Sequence, residues 1–536
     1  MNTAPSFTES VVNFEGKDSP QKSRLCFLCL LLISVVVVVL LVRTGATVVL
    51  LHCHDIPLFL DGGWRILQGQ VPHLDFYTPL GPVTLLAVAG GMWFAGPVVS
   101  AIAYANAAVF TLISIWAWLI ARSRLSSVLS LLFALFAGLM IAGTSEYGHD
   151  LSQLTYAGLY NRYGASFTAL LFIECFAGSK GSSSPRLFLE GLSSGVIIAL
   201  LFFLKLNFFI AAALTVMAGA ILIPQNRARW LGLCVGVLVV SVLMLSYLQF
   251  DIPALYRDMA LALRARSGML FFQIMVLPLH ALVFDSVFLI VTLWVAAPLP
   301  PDCFRSFASP KLAQGLFVLF LILIQGFLSL TNNQPKIPSL FPAAALLILS
   351  RALSTRISDL ARLPATLLLS LFFVASSIAP NIESVVYSAH LHRTVVPHIP
   401  AGQHFSAYPL NDLFSSEQHY VEVTNDGCDL LRRQTQDSER ILALDFSNPF
   451  SYALQRPSPK GDALWWHADV TFSRDAHPSA TTVFHDVALV MIPKSTETTR
   501  DALMNIYGTF LKTNYARIAE SQHWILCRRH KEPANK

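Results

Sequence analysis

Charged side chains are scarce in this sequence: they make up 13% of the 536 residues, whereas 54% of the residues are hydrophobic. A soluble globular protein of this composition would have to expose large apolar patches to water. The scarcity of charge therefore excludes an ordinary soluble globule and predicts a membrane protein. The net charge of +5 is small for this length, and basic loops account for it, so we expect no nucleic-acid partner.

The sequence also lacks a signal-peptide cleavage site after its first apolar run. Lys17, Lys22 and Arg24 precede the apolar segment from Leu25 to Val42. A basic flank before such a run is typical of a span that enters the membrane from the cytoplasm. We therefore expect this segment to stay attached as the first transmembrane helix.

Apolar runs close to the length of about 20 residues that crosses a bilayer recur as far as residue 380. The candidate spans lie at about residues 25–43, 99–121, 127–143, 163–178, 187–204, 206–223, 230–249, 274–297, 312–330, 337–351 and 363–380. They predict an all-α polytopic membrane protein with roughly eleven transmembrane helices. We find no internal repeat and no long low-complexity linker.

Basic residues mark every second connection between these spans. They are Arg122 and Arg124, Lys180 and Arg186, Arg227 and Arg229, Arg305 and Lys311, and then Arg351, Arg356 and Arg362. Because Lys and Arg concentrate in cytoplasmic loops, we expect these connections inside the cell. The apolar stretch from Leu80 to Ala95 would reverse the alternation if it crossed the membrane, so we interpret it as a juxtamembrane or re-entrant helix.

The other connections are expected outside the cytoplasm. They are residues 44–98, 144–162, the short turn at Lys205, 250–273, 331–336 and the tail from about 381. The predicted organisation is a cytoplasmic segment 1–24, a membrane domain 25–380 and a periplasmic domain 381–536, in a bacterial inner membrane.

The tail is less hydrophobic than the rest of the chain. It contains short apolar runs at Ile441–Phe446, Val487–Ile492 and Trp524–Cys527, and a helix-like stretch at Thr498–Leu511. These patterns predict a small α/β domain. A disulfide between Cys428 and Cys527 is compatible with an extracytoplasmic location, as are two free thiols.

The first outer loop concentrates acids, aromatic residues, Gly and Pro directly after the first span. From His54 to Pro82 it reads HDIPLFLDGGWRILQGQVPHLDFYTPLGP. Asp55, Gly69, Pro72, Asp75 and Pro82 have the order and spacing of an acid, a short helix ending in Leu-x-Gly, a Pro-Tyr-x-Asp element and a Pro-containing helix start.

In that order the loop resembles the GT-C glycosyltransferases, notably the protein mannosyltransferase-like and aminoarabinose transferase-like families. The resemblance implies a GT-C fold and a sugar donor linked to polyprenyl phosphate. It also implies that Asp55 is the catalytic or acceptor-orienting carboxylate and that Asp75 supports the loop or the site. Asp61 is an additional candidate without a family counterpart.

Sugar transfer from a polyprenyl phosphate needs a carboxylate that accepts the proton of the attacking hydroxyl, and cations that stabilise the departing phosphate. Asp55 can supply the carboxylate. The alternative for Asp55 and Asp61 is that they are solvated loop acids or helix caps, which are common roles of Asp near a turn.

The second outer loop combines Glu146, His149 and Asp150 with Tyr160, Asn161 and Arg162. Aromatic faces with acids and a cation suit carbohydrate stacking and phosphate contact. The acids and His149 could instead bind a divalent metal ion, although they lack a regular ligand spacing. A hydrogen-bonded structural loop is the third interpretation.

Three further cations are expected at the outer face of the membrane. Lys205 lies between two apolar runs, where it either snorkels to lipid head groups or pairs with the donor phosphate, as a Thr-Lys pair does in the GT-C enzymes that the chain resembles. Arg264 and Arg266 occupy an outer amphipathic segment, where they predict either phosphate binding or an interfacial helix held by anionic lipid.

Two tail segments are rich in groups that could hold a sugar or an acceptor. They are Asp445–Phe450 and Trp465-Trp466-His467. The aromatic residues could equally be part of a buried core.

Together these patterns predict an inverting membrane glycosyltransferase that moves a sugar from a polyprenyl phosphate donor to an extracytoplasmic glycan or lipid. Asp55 would be the base, and Lys205 and Arg162 would hold the phosphate. The alternatives are an O-antigen ligase or polymerase, which usually carries a large late loop, and a flippase of lipid-linked sugars, which would place charges along many spans.

Overall fold

The structure is a computed structural model that describes residues 19–43, 47–144, 154–177, 183–222, 226–266, 310–332, 340–354, 362–394, 413–415, 418–495 and 498–530. Up to residue 394 its helices are α1 (Pro20–Arg43), α2 (Asp55–Leu67), α3 (Val83–Ala95), α4 (Ala101–Ala121), α5 (Ser127–Ala142), α6 (Leu159–Phe176), α7 (Ser184–Phe202), α8 (Leu206–Leu222), α9 (Arg227–Tyr247), α10 (Ile252–Ala265), α11 (Pro310–Thr331), α12 (Phe341–Ser354) and α13 (Arg362–Thr394). A short strand, β1 (Thr47–Val49), precedes α2.

Each predicted span in the described part of the chain coincides with one of these helices, and the predicted span 274–297 lies outside the described residues. Among the described helices, α1, α4, α7 and α9 are long and apolar enough to cross a membrane. The mostly helical architecture with several apolar helices confirms the helical part of the predicted fold class, whereas the count of about eleven spans stays a prediction.

Helix α3 is the stretch interpreted as a juxtamembrane or re-entrant helix. It has 13 residues, which is shorter than the roughly 20 residues of a crossing. Gly91 packs directly against the backbone carbonyl of Ala101, so α3 folds back on the start of α4. At its end Trp93 and Phe94 are 81% and 75% exposed, as expected of aromatic residues at a lipid interface.

Helices α7 and α9 pack backbone to backbone through small residues. Gly191 and Gly195 on α7 lie against the backbone of α9, and Gly232 and Gly236 on α9 lie against the backbone of α7. A Cβ at any of these positions would meet a main-chain atom of the other helix. This is the small-xxx-small packing of membrane helices, and it brings the turn after α7 to a fixed place.

Helix α13 extends further than the apolar pattern indicates. The predicted span ends near residue 380, whereas the helix continues to Thr394 and contains Pro380. The residues from Asn381 onward are too polar for a span but still compatible with a helix, and Asn381 Nδ2 donates to the Ser377 carbonyl within it. The predicted boundary of the tail therefore falls inside a continuous helix.

The tail forms a small α/β unit, as predicted. Its elements are β2 (Leu413–Ser415), α14 (Gln418–Gln434), β3 (Ile441–Ala443), α15 (Phe450–Ala453), α16 (Ala480–Val483), β4 (Leu489–Pro493), α17 (Thr498–Asn514), β5 (Tyr515–Glu520) and β6 (Trp524–Arg529). The sheet has the order β3-β4-β6-β5, with β3 and β4 parallel and the other pairs antiparallel. Cys428 and Cys527 are both free thiols.

Main-chain pairing joins the tail to the first outer loop. Strand β1 pairs in parallel with β2. The amide of Tyr77 donates to the carbonyl of Asp462 at 2.8 Å, and the amide of Leu464 donates to the carbonyl of Tyr77 at 2.9 Å. The loop and the tail are therefore one packed unit, and the loop contacts the turn between α7 and α8 that contains Lys205.

Candidate active site

A cavity of about 700 Å³ lies where the first loop, the turn between α7 and α8, helices α10 and α11, and the tail meet. Its polar lining comes from distant parts of the chain: His52, His54, Asp55, Tyr160, Lys205, Asn207, Arg266, Thr331, Asn332, His467 and Thr471. Its apolar lining includes Leu58, Phe59, Leu206, Ile210, Met259, Leu263, Phe327, Leu330, Phe446 and Trp465.

Asp55 is the first residue of α2, at the helix end where unpaired amides favour negative charge. The preceding histidines, His52 and His54, line the cavity beside it. His52 adopts a left-handed backbone conformation with φ 56°, which turns the chain sharply before the helix starts. This turn brings the carboxylate of Asp55 to the cavity directly after the first span.

Lys205 is held in the turn between α7 and α8. Its Nζ donates to Asn161 Oδ1 at 3.3 Å and to Asn332 Oδ1, and lies 4.6 Å from the centre of the Tyr160 ring. The two amide oxygens and the face of the Tyr160 ring hold the ammonium group of Lys205 in one orientation. Burial, followed by repulsion from Arg266, lowers the pKa of Lys205 well below its usual value. An anion that binds beside Lys205 would favour its protonated, positively charged form.

Main-chain hydrogen bonds join the first loop to the turn between α7 and α8 that contains Lys205. The amide of Gly81 donates to the Leu204 carbonyl at 3.1 Å, and the amide of Val83 donates to the Phe203 carbonyl at 3.2 Å. A Cβ at Gly81 would overlap the Phe203 carbonyl, so only glycine allows this approach. The contact explains how Asp55 and Lys205 reach one cavity although they are far apart in sequence.

Arg266 caps the C-terminal end of α10, where its Nη1 donates to the Thr331 carbonyl at 2.9 Å. The helix is fixed to the first loop by the buried carboxylate of Asp258. One oxygen of Asp258 lies 3.0 Å from His73 Nδ1 and accepts from the Thr78 amide at 3.3 Å. Arg266 is therefore a positioned cation on the same cavity as Asp55 and Lys205.

The tail supplies the remaining wall, through Phe446, Trp465, His467 and Thr471. Ser447 Oγ donates to the carbonyl of His54 at 3.0 Å. The ring centres of Phe446 and His54 are 4.6 Å apart in an edge-to-face arrangement. The cavity thus has a cationic part, a carboxylate beside two histidines, and an aromatic wall from the tail.

No protein-family model matches the chain, and no curated protein matches it in sequence. Its structure is similar to that of ArnT from Cupriavidus metallidurans bound to undecaprenyl phosphate, with a TM-score of 0.46 and 12% identity over 94% of this chain and 97% of ArnT. The apo state of ArnT gives a TM-score of 0.44 and 13% identity over the same shares. An oligosaccharyltransferase from Archaeoglobus fulgidus, in complex with zinc and sulfate, gives a TM-score of 0.38 and 12% identity over 92% of this chain and 72% of its own.

The structure places the other two acids of the first loop away from the cavity. Asp61 is buried and binds Arg65 at 2.6 Å and Ser458 Oγ at 3.1 Å. Asp75 accepts from the amide of Val71 at 2.8 Å and pairs with Lys460 at 2.9 Å. Both acids connect the loop to itself or to the tail, so we no longer assign them a catalytic role.

Arg162 is likewise not on the cavity lining. Its Nη1 donates to the carbonyl of Gly143 at the end of α5, where a cation is favourable because helix carbonyls are unpaired there. Arg264 is exposed, whereas Arg266 reaches the cavity. Tyr160 lines the cavity and Asn161 orients Lys205. Glu146, His149 and Asp150 lie outside the described residues.

Several lining residues were missed at the level of sequence. His52 lies two residues before the segment His54–Pro82, and Asn332 directly follows α11. Both lie in connections expected outside the cytoplasm, but neither belongs to a recognised pattern. Within the described residues no group of three or more His, Cys, Asp or Glu side chains is placed to hold a metal ion.

Proposed function

We propose that this protein is an inverting membrane glycosyltransferase that moves a sugar from a polyprenyl phosphate-linked donor to an extracytoplasmic glycan or lipid. The observation that carries the proposal is that Asp55, Lys205 and Arg266 line one cavity. This combination provides a proton acceptor and two cations in a space large enough for a sugar and a phosphate.

In this reaction the acceptor hydroxyl binds beside Asp55 and attacks the anomeric carbon of the donor sugar. Asp55 takes the hydroxyl proton as the new bond between acceptor oxygen and carbon forms. The bond between the anomeric carbon and the phosphate oxygen breaks, and its electron pair leaves with the polyprenyl phosphate. Lys205 and Arg266 stabilise the negative charge that develops on that phosphate. A single displacement inverts the anomeric configuration.

An apolar stripe along α8 gives the polyprenyl chain a path. Leu206 and Ile210 line the cavity, and the same helix face continues through Leu214, Met217 and Ile221, which are 42%, 58% and 57% exposed. Spacings of three and four residues keep these side chains on one face. The phosphate can therefore sit at Lys205 while the lipid runs along α8 into the membrane.

The test is to compare purified Asp55→Asn with the wild type in a transfer assay with labelled polyprenyl phosphate sugars and candidate acceptors. We expect transfer to fall by at least about 100-fold, since the loss of a general base has this order of effect, while binding of undecaprenyl phosphate is kept. Asp75→Asn is the matched control, because it removes an acid of the same loop that is off the cavity, and it should retain transfer.

Full transfer by Asp55→Asn would remove Asp55 from the mechanism. Lipid binding by the wild type without transfer to any acceptor, together with movement of the lipid-linked sugar across proteoliposome membranes, would favour a flippase instead.

A further inference from the structure

The side chain of His467 faces the cavity from a rigid turn of the tail. The carbonyl of His467 accepts from the amides of Val470 and Thr471 at 3.0 and 2.9 Å, and its own amide donates to Thr471 Oγ1 at 2.9 Å. The residue is exposed to the cavity, and its ring centre is 5.8 Å from that of Phe446. In the described part of the chain nothing hydrogen-bonds the imidazole, so both nitrogens are available to a ligand.

The charged groups around His467 favour an anion. Arg266, Lys205 and His467 line the same cavity, and Arg266 lowers the pKa of both other groups. Desolvation and then Arg266 lower the pKa of His467, while Asp469 of the same turn raises it. An imidazole that shares a cavity with two cations gains a proton most readily when a negative ligand enters that cavity.

We propose that His467 is a third ligand of the donor phosphate, next to Arg266 and Lys205, and that it takes up a proton when the phosphate binds. This inference rests on the proposed function and deepens it, because it assigns the C-terminal domain a direct contact with the donor. A glycosyl phosphodiester carries one negative charge, and the phosphate gains a second when the bond to the sugar breaks. A protonated His467 donates a hydrogen bond to that oxygen and offsets the added charge.

The experiment measures proton uptake during binding. Full-length protein in nanodiscs is titrated by calorimetry with a polyprenyl methyl phosphodiester, whose phosphate does not titrate near neutral pH, in buffers of different ionisation enthalpy. The dependence of the observed heat on the buffer gives the number of protons taken up. To remove any contribution of Lys205 to the proton count, the comparison is made in Lys205→Arg, which keeps a permanent cation there.

In that background we expect the remaining proton uptake to disappear in His467→Asn and the affinity to fall by about tenfold, which is the usual size of a hydrogen bond to a charged group. His467→Arg should restore affinity without proton uptake, which also excludes a folding defect. His485→Asn, at an exposed tail histidine off the cavity, is the matched control and should leave both quantities unchanged.

Unchanged affinity and proton uptake in His467→Asn, with Asp55→Asn still inactive, would overturn the inference and leave the proposed function standing. Failure of the wild type to bind the lipid phosphodiester would overturn both. Binding of inorganic phosphate that depends on His467, without binding of the lipid, would overturn the assignment to the donor.

Discussion

Arg65 shows how a single buried residue fixes the geometry of the site. Its side chain is fully buried and binds Asp61 at 2.6 Å and both oxygens of Asp462 at 2.8 and 2.9 Å. It also donates to the carbonyl of Pro459 at 2.7 Å. Arg65 therefore joins α2, which begins at Asp55, to the segment of the tail that leads to Trp465 and His467.

Arg65→Met should strongly destabilise the protein, because it leaves two carboxylates buried without their cation. Breaking a buried pair in this way costs about 3–5 kcal/mol. The measurement is the midpoint of thermal unfolding in detergent, followed by tryptophan fluorescence. Arg432→Met is the control, since Arg432 pairs with Asp429 on a surface where both side chains are about half exposed, and similar shifts in the two variants would contradict the assignment.

At the residue scale, the sequence predicts which groups a side chain can pair with better than it predicts whether that side chain faces the cavity. Asp61 and Arg65 are four residues apart, a spacing that predicts an ion pair once the segment is known to be helical. Arg264 and Arg266 could not both face the cavity from one helix, because residues two apart point in different directions. The contact of Arg162 with the carbonyl of Gly143, at the end of α5, could not be predicted, because a main-chain partner leaves no pattern in the sequence.

Among the elements, the turn between α7 and α8 packs too closely against the first loop to allow a side chain at Gly81. Gly81 touches the Phe203 carbonyl directly, and a methyl group there would push the turn and Lys205 away from the cavity. We expect Gly81→Ala to weaken binding of undecaprenyl phosphate by at least about tenfold, since a displacement of about 1 Å can cost 100-fold. The measurement is a lipid-binding titration of the purified variant.

Gly90→Ala is the control for this prediction. Gly90 lies on α3, close in sequence to Gly81, and a Cβ added there meets nothing within 4 Å. It should bind the lipid like the wild type. Equal binding by both variants would mean that the contact at Gly81 does not position Lys205.

The elements themselves are largely predictable, because their signals are local. Apolar length predicts the described membrane helices, and short apolar runs predict β3, β4 and β6 within the tail. The pairing of β1 with β2 could not be predicted, because each strand has three residues and their partners are more than 360 positions apart in sequence. The extension of α13 was missed because polar residues carry no apolar signal.

For the whole molecule, the alternation of basic loops predicts that the tail and Arg122 lie on opposite sides of the membrane. In a variant without native cysteines, we expect Lys460→Cys, at a position with a half-exposed side chain, to react with a membrane-impermeant maleimide added to spheroplasts. Arg122→Cys should react only after permeabilisation. The reverse pattern would place the cavity on the cytoplasmic side and contradict an extracytoplasmic acceptor.

How the cavity is assembled could not be derived from local patterns. Its lining comes from residues 52–80, 157–160, 205–210, 259–266, 327–332 and 446–471. A single sequence does not show which of these segments contact one another. The sequence groups these segments only through the prediction that all of them lie at the extracytoplasmic side of the membrane. That prediction was enough to select Asp55, Lys205 and Arg266, but it could not separate them from Asp61, Asp75 and Arg162.

The hydrogen bond from Ser447 to His54 spans 393 positions, which has a consequence for biosynthesis. A ribosome has produced all the helices up to α13 before it reaches the tail residues that close the cavity. A nascent or prematurely terminated chain can be inserted in the membrane with its first loop in place and yet have no complete site. The cavity of a newly made molecule therefore stays incomplete on its tail side until translation is nearly finished.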